Sequence, residues 1–254
     1  MTTHGPTGTD EPNPLRGRLF IASGIFLAVV LLLGVYVVVN GNGSGNNDGR
    51  SGAQAQQSPS PSASPSPDDD VPGNLCPTLT DKNTAVPTSA PKDVTWNLAQ
   101  GFALPSSKAS GPGRVEGDVA HCYAHTPIGA LIAAVQITGR QLSAKDWESI
   151  VERQCVGDGK DYYLTKRRAI EKKEGSQALT ADQHGQVAGF RFITYSADTA
   201  VVDLVWRAKD GSLGAGSATM KWDQGDWKNE ITKTPAAPGG AIDNLAGYTA
   251  WGGV

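Results

Sequence analysis

The 254-residue chain sets 22 Lys and Arg against 25 Asp and Glu, so it shows no basic excess of the kind a nucleic acid demands. The small acidic surplus lies N-terminally, chiefly in Asp68, Asp69 and Asp70, and charge therefore selects no partner for the remainder. Cys76, Cys122 and Cys155 are odd in number, which leaves at least one thiol without an intramolecular partner.

Leu19 to Val39 is free of charge and rich in Leu, Val and Ile. At 1.5 Å per residue it covers about 30 Å, the thickness of a bilayer's hydrocarbon core. Arg16 and Arg18 flank it on one side, and the other flank stays neutral as far as Asp48. The positive-inside rule places residues 1–18 in the cytoplasm and the rest of the chain outside. A cleaved signal peptide would have a shorter apolar core and a small-x-small site, which "VYVVVNGNG" does not offer. The expectation is a retained single-pass anchor at 19–39, in the cell membrane, with an extracellular C-terminal domain.

Residues 40–70 are Gly, Asn, Gln, Ser and Pro with almost nothing apolar, a composition that predicts a disordered linker. Within it, "SPSPSASPSP" (58–67) favours extended, semi-rigid geometry and spaces the next domain from the membrane. That domain runs from 71 to 254. Its lead-in, 71–125, is punctuated by proline and glycine, with one short strand predicted near Val94–Leu98.

The core, 126–234, opens with three helical patterns. Thr126 is a good N-cap and Pro127 suits the first helical position; "IGALIAAVQIT" is apolar on nearly every side, which predicts a buried helix. Ser143, with Asp146 three residues on, predicts a cap for the second, whose Trp147, Ile150, Val151, Gln154 and Cys155 fit the amphipathic template. The third, Asp161–Glu174, carries a narrow stripe of Tyr162, Tyr163, Ala169 and Ile170. After Gly175 the apolar period falls from 3.6 to 2. Four strands joined by "ADT", "KDG" and "DQGD" predict an antiparallel meander, with Phe190 and Phe192 on one face. The tail, 235–254, is loop-like, with Leu245, Tyr248 and Trp251 able to dock. Helices followed by antiparallel strands give the α+β class, three helices packed in a curled four-stranded sheet.

Candidate chemistry begins with "HCYAHTPIGALIAA" (121–134). His121 and His125 precede the helix, so they do not share a helical face; in extended chain they point one way and Cys122 the other. Two ligands are too few for a structural zinc site, and Cys155, His184 and Asp118 add none at a recognisable spacing. A Cys122 nucleophile beside either histidine lacks a supporting motif. Three single disulfides are open, and a Cys122–Cys155 bridge would pin the start of the first helix to the second. Gly214 and Gly216 lie in a strand pattern with no helix after them, which argues sheet curvature rather than phosphate binding. Lys166, Arg167, Arg168, Lys172 and Lys173 alternate with acids and read as a solvated face; the other reading is a contact for an acidic partner, wall polymer or lipid headgroup.

The closing "MKWDQGDWKNEI", with Trp222 and Trp227 flanking the turn, resembles the last strands of nuclear transport factor-like domains. The order of tail, anchor, spacer, helices and meander resembles assembly subunits of Gram-positive conjugative type IV secretion systems. "WNLAQGFALPSS" (96–107), "AHTPIGALIAA" and "GYTAWGG" resemble an actinobacterial group of membrane-anchored proteins of integrative conjugative elements. The resemblance implies a non-enzymatic scaffold without cofactor, joined to protein partners in the cell envelope, with a homo-oligomer open. Some relatives of that fold are enzymes; Asp203 and His184 are the groups offered here, and Asp203 is expected at the solvent face. The alternative is a ligand-binding or sensor module whose cone is lined by Phe190, Phe192 and Trp206.

Overall fold

The computed structural model describes residues 76–180, 183–234 and 239–253. The anchor 19–39 and the linker 40–70 lie outside the described residues, and among those described no helix is long and apolar enough to cross a membrane.

Helix α1 (Pro127–Ser143) forms where the sequence predicts, with the Thr126 side chain accepting from the Gly129 N–H and Pro127 in the first turn. Near the other end of the helix, Gly139 leaves room for Leu104, whose Cδ2 would stand 2.8 Å from a Cβ at that position. Helix α2 (Trp147–Gln154) is capped by Asp146, which accepts from the Ser149 N–H at 3.3 Å. Ser143 is instead the last residue of α1, so the predicted cap moves by three positions. Helix α3 (Lys160–Glu174) starts after Gly159 without a side-chain cap and buries Leu164 and Arg167. The predicted stripe is therefore displaced, for Tyr162 and Ala169 face solvent.

The lead-in holds two hairpins. Strand β1 (Thr95–Ala99) pairs with β2 (Phe102–Ser106), and β3 (Arg114–Glu116) with β4 (Val119–His121). The main sheet is built on β6 (Gln186–Tyr195), β7 (Thr199–Arg207), β8 (Leu213–Asp223) and β9 (Asp226–Glu230), all antiparallel. Gln224 and Gly225 both take positive φ in the β8–β9 turn, the geometry that keeps twisted strands in register.

This sheet corrects the fold predicted from sequence. Among the described residues it has seven strands and is mixed, in the order β11 (Thr249–Ala250), β6, β7, β8, β9, β5 (Cys155–Val156), with β10 (Gly240–Ile242) added to β8. The two-residue β5 (Cys155–Val156), directly after α2, runs parallel to β9. β9 pairs only with Met220–Asp223, so the far end of β8 is left to β10 (Gly240–Ile242), while β11 (Thr249–Ala250) caps β6 at Gly189 and Phe190. A four-stranded sheet curled into a cone does not form, because both edges of the meander are extended by chain that does not read locally as strand: the tail at β6 and the end of the second helical pattern at β9.

Helix α1 lies against β7, β8 and β9 on one side and against β2, β4 and α2 on the others. Leu131, Ile132, Val135 and Ile137 are fully buried there, with Trp227, Phe190, Leu204 and Met220 supplied by the sheet. Burying each such side chain contributes roughly 1.5–3 kcal/mol. Polar atoms on α1 are satisfied locally: Gln136 Nε2 donates to Pro105 O at 2.8 Å and its Oε1 accepts from Arg140 Nε at 2.8 Å.

Candidate functional site

Between β4 and α1 the chain passes through Cys122, Tyr123 and Ala124 with no ladder to take its backbone N–H groups, and buried N–H groups need partners. Ala124 N donates to Ser110 O at 3.0 Å, and Asp226, at the start of β9, serves the other two. Its Oδ2 accepts from Cys122 N at 2.8 Å, and its Oδ1 from Tyr123 N at 2.8 Å and Trp227 N at 2.9 Å. These bonds hold Cys122 at φ +69°, a left-handed conformation uncommon outside glycine. Burial pushes the Asp226 carboxyl above its ordinary range, against the three N–H groups and His121, which favour the charged form. Asp81 makes a second anchor: its Oδ2 accepts from Ser110 Oγ at 2.8 Å and Thr126 Oγ1 at 2.7 Å.

The disulfide joins Cys76 to Cys122, and Cys155 is free and buried. The Cys122–Cys155 candidate is thereby corrected. Cys155 sits on β5 inside the core, where burial pushes its thiol up to about 12. His121 and His125 part company. His121 turns back, Nδ1 lying 3.4 Å from Cys122 Sγ, whereas His125 stacks on Trp222 at 3.9 Å and bonds Ala197 O through Nε2. His184 stacks on Phe102 at 3.6 Å, and Asp118 accepts from Gln100 Nε2 at 2.6 Å.

Asp203 is buried, not solvent-facing; Arg191 Nη2 donates to it at 2.6 Å and Ser217 Oγ also donates to it. The basic run is likewise engaged. Arg167 lies 4.2 Å over the Trp147 ring and donates to Gln141 O at 2.7 Å, and Arg168 pairs with Glu148 and Glu152. A buried arginine in this run has no signal in the local pattern, which resembles any charged helix face.

Phe190, Phe192 and Trp206 are not among the described residues that line the cleft. Phe190 meets Trp251 edge-on at 5.5 Å and Phe192 at 6.1 Å, and Trp206 meets Phe102 at 5.9 Å. The cleft lies beside them, outside the sheet end, with a volume of about 840 Å³. Trp96 and Trp251, 4.8 Å apart, form one wall, Leu245 and Gln186 contribute to the rest, and Arg207 and Lys209 stand at its rim. No acid is among its described lining residues, and the exposed Arg207 side chain makes no hydrogen bond or ion pair among the described residues. Sequence patterning misses this cleft because it joins the lead-in to the last residues of the tail.

The chain belongs to the DUF8175 family. The family's model, described as a domain of unknown function, matches residues 55–250. The match spans the Cys76–Cys122 bridge and the Asp226 anchor and ends one residue before Trp251 of the cleft wall. No curated protein and no solved structure matches the chain.

Proposed function

We propose that this DUF8175 chain is a membrane-anchored, exported assembly domain that works through protein contacts rather than by catalysing a reaction. The observation that carries the reading is the Cys76–Cys122 disulfide. It suits an oxidising compartment, and it ties the chain to the core where the linker and the apolar run Leu19–Val39 lead in. Tension on the N-terminal side passes from Cys76 to Cys122 and, through Asp226, into the β8–β9 hairpin, so the coil between Cys76 and β1 carries none of it. The Asp226 carboxylate at this junction is spent on backbone N–H groups, which supports a structural role. The likeness of the closing hairpin to nuclear transport factor-like domains implied a cone-shaped sheet, which the fold replaces, so the assembly role is argued from the tether and the exposed apolar side chains.

Leu98 is 77% exposed, Val115 54% and Ile193 49%, which makes them the natural contact points. A photo-crosslinking residue at each, in cells of the native host, is expected to give discrete adducts, and external protease is expected to reach the domain in intact cells. Diffuse labelling at all three positions, or a protected domain, would count against the proposal.

The cleft favours a second reading, a binding module for an amphipathic anion held between the tryptophan wall and Arg207. Titration with a long-chain carboxylate should then change tryptophan fluorescence, and Arg207→Gln should weaken the response. A carboxylate series with no saturable change removes this reading.

A further inference from the structure

Cys76, His121 and Cys122 bring their potential ligand atoms within 4.8 Å of one another. The arrangement of His121 is specific. Its Nδ1 lies 3.4 Å from Cys122 Sγ, and its Nε2 lies 3.4 Å from Glu116 Oε1, whose other oxygen accepts from Arg153 Nη2 at 2.8 Å. A tetrahedral zinc with Zn–S of about 2.3 Å and Zn–N of about 2.0–2.1 Å separates its S and N ligands by roughly 3.5 Å. The His121–Cys122 pair already has that spacing. The far nitrogen, buried and without a hydrogen bond among the described residues, has Glu116 at ion-pair distance, the place from which a carboxylate orients a metal-bound imidazole.

We propose that, once the Cys76–Cys122 bridge is reduced, Cys76, Cys122 and His121 hold a zinc ion, so that one cluster is a disulfide in oxidising surroundings and a metal centre in reducing ones. A dithiol reductant delivers two electrons and two protons to the bridge and leaves as its own disulfide. Zn²⁺ then displaces the two thiol protons, binding two thiolates and the neutral His121 Nδ1, with no change in its own oxidation state. Two thiolates balance the ion's charge, and soft sulfur with imidazole selects zinc over calcium or magnesium. Cys76 is half-buried, which leaves the fourth position on the solvent side.

Reduction does not set Cys76 free. Asp81 still receives Ser110 and Thr126, and Asp81 N still donates to Ala109 O at 3.1 Å. Gly113 carries no side chain where Pro77 Cγ would stand 2.7 Å from its Cβ, so the segment after Cys76 stays seated beside Cys122. Cys122 is held by Asp226 whether or not the bridge exists.

The test uses the full chain in detergent, reduced with dithiothreitol and freed of reductant without oxygen, then dialysed against Zn²⁺. One zinc per chain is expected in the reduced form and none in the oxidised form, which also controls for the other histidines. Cys76→Ser abolishes uptake, His121→Ala weakens it by about tenfold or more, Glu116→Gln by about tenfold, and Cys155→Ala leaves it unchanged. Circular dichroism is recorded alongside; if reduction unfolds the domain, zinc is expected to restore the spectrum, since metal binding and folding are coupled. No stoichiometric uptake, equal uptake by the oxidised chain, indifference to His121→Ala, or an unfolded spectrum that zinc does not restore would each overturn the proposal.

Discussion

Removing the Cys76–Cys122 bridge is the perturbation whose size follows most directly from the structure. The two cysteines are 46 residues apart in sequence. In the chain-entropy treatment, closing a loop of that length lowers the entropy of the unfolded ensemble enough to stabilise the fold by about 4 kcal/mol. For a domain of this size each kcal/mol moves the melting temperature by about 2–4 °C, so the shift should be about 8–16 °C. Cys76→Ser is the cleaner variant, since Cys122 is 2% exposed and a serine there adds its own desolvation cost. The assay is thermal melting of the full chain followed by circular dichroism, with a chelator present. Cys76→Ser, and wild type under dithiothreitol, should fall together. The double Cys76→Ser, Cys122→Ser variant should fall little further than Cys122→Ser alone, because the bond can be lost only once. A shift under about 3 °C would refute the reasoning, showing that Asp81 and Asp226 close the loop without the bridge.

Asp226→Asn has one oxygen where the carboxylate has two, so at least one of three N–H groups loses its partner, at a cost of about 1–3 kcal/mol in urea unfolding. Burial raises the Asp226 carboxyl, so its contribution is fully present below the unfolded value of about 3.9 and is lost as pH rises through the raised folded one. The Asn variant should lack that slope; an unchanged profile would contradict it. Arg167→Lys loses the stacking over Trp147 and the planar reach to Gln141 O and the Tyr163 hydroxyl, and should cost about 1–3 kcal/mol by the same measurement. Cys155, buried and with its thiol pushed up to about 12, should react with a disulfide reagent only as fast as the domain opens; a rapid native-state burst would show it accessible.

The sequence by itself determined what depends on neighbours along the chain. Thr126 and Pro127 start α1 because a side-chain oxygen and a missing N–H act within one turn, and the unbroken apolar run after them leaves α1 no solvent face. The strand runs after Gly175 are legible for the same reason, period 2 between turns whose residues tolerate positive φ. Tertiary structure alone decided what depends on closure. Cys122 could have met either cysteine; Cys76 is its partner because Asp81 seats the lead-in beside the start of α1, while β5 carries Cys155 into the core. Four strands became seven because short segments with no strand period of their own found open edges on β6, β8 and β9. Phe190, Phe192 and Trp206 became packing and the cleft formed elsewhere, since whether aromatic rings leave a space depends on what the tail places against them. His121 shows the division within one residue: extended chain should turn it away from Cys122, yet the left-handed backbone at Cys122, held by a carboxylate 104 residues on, brings the two together.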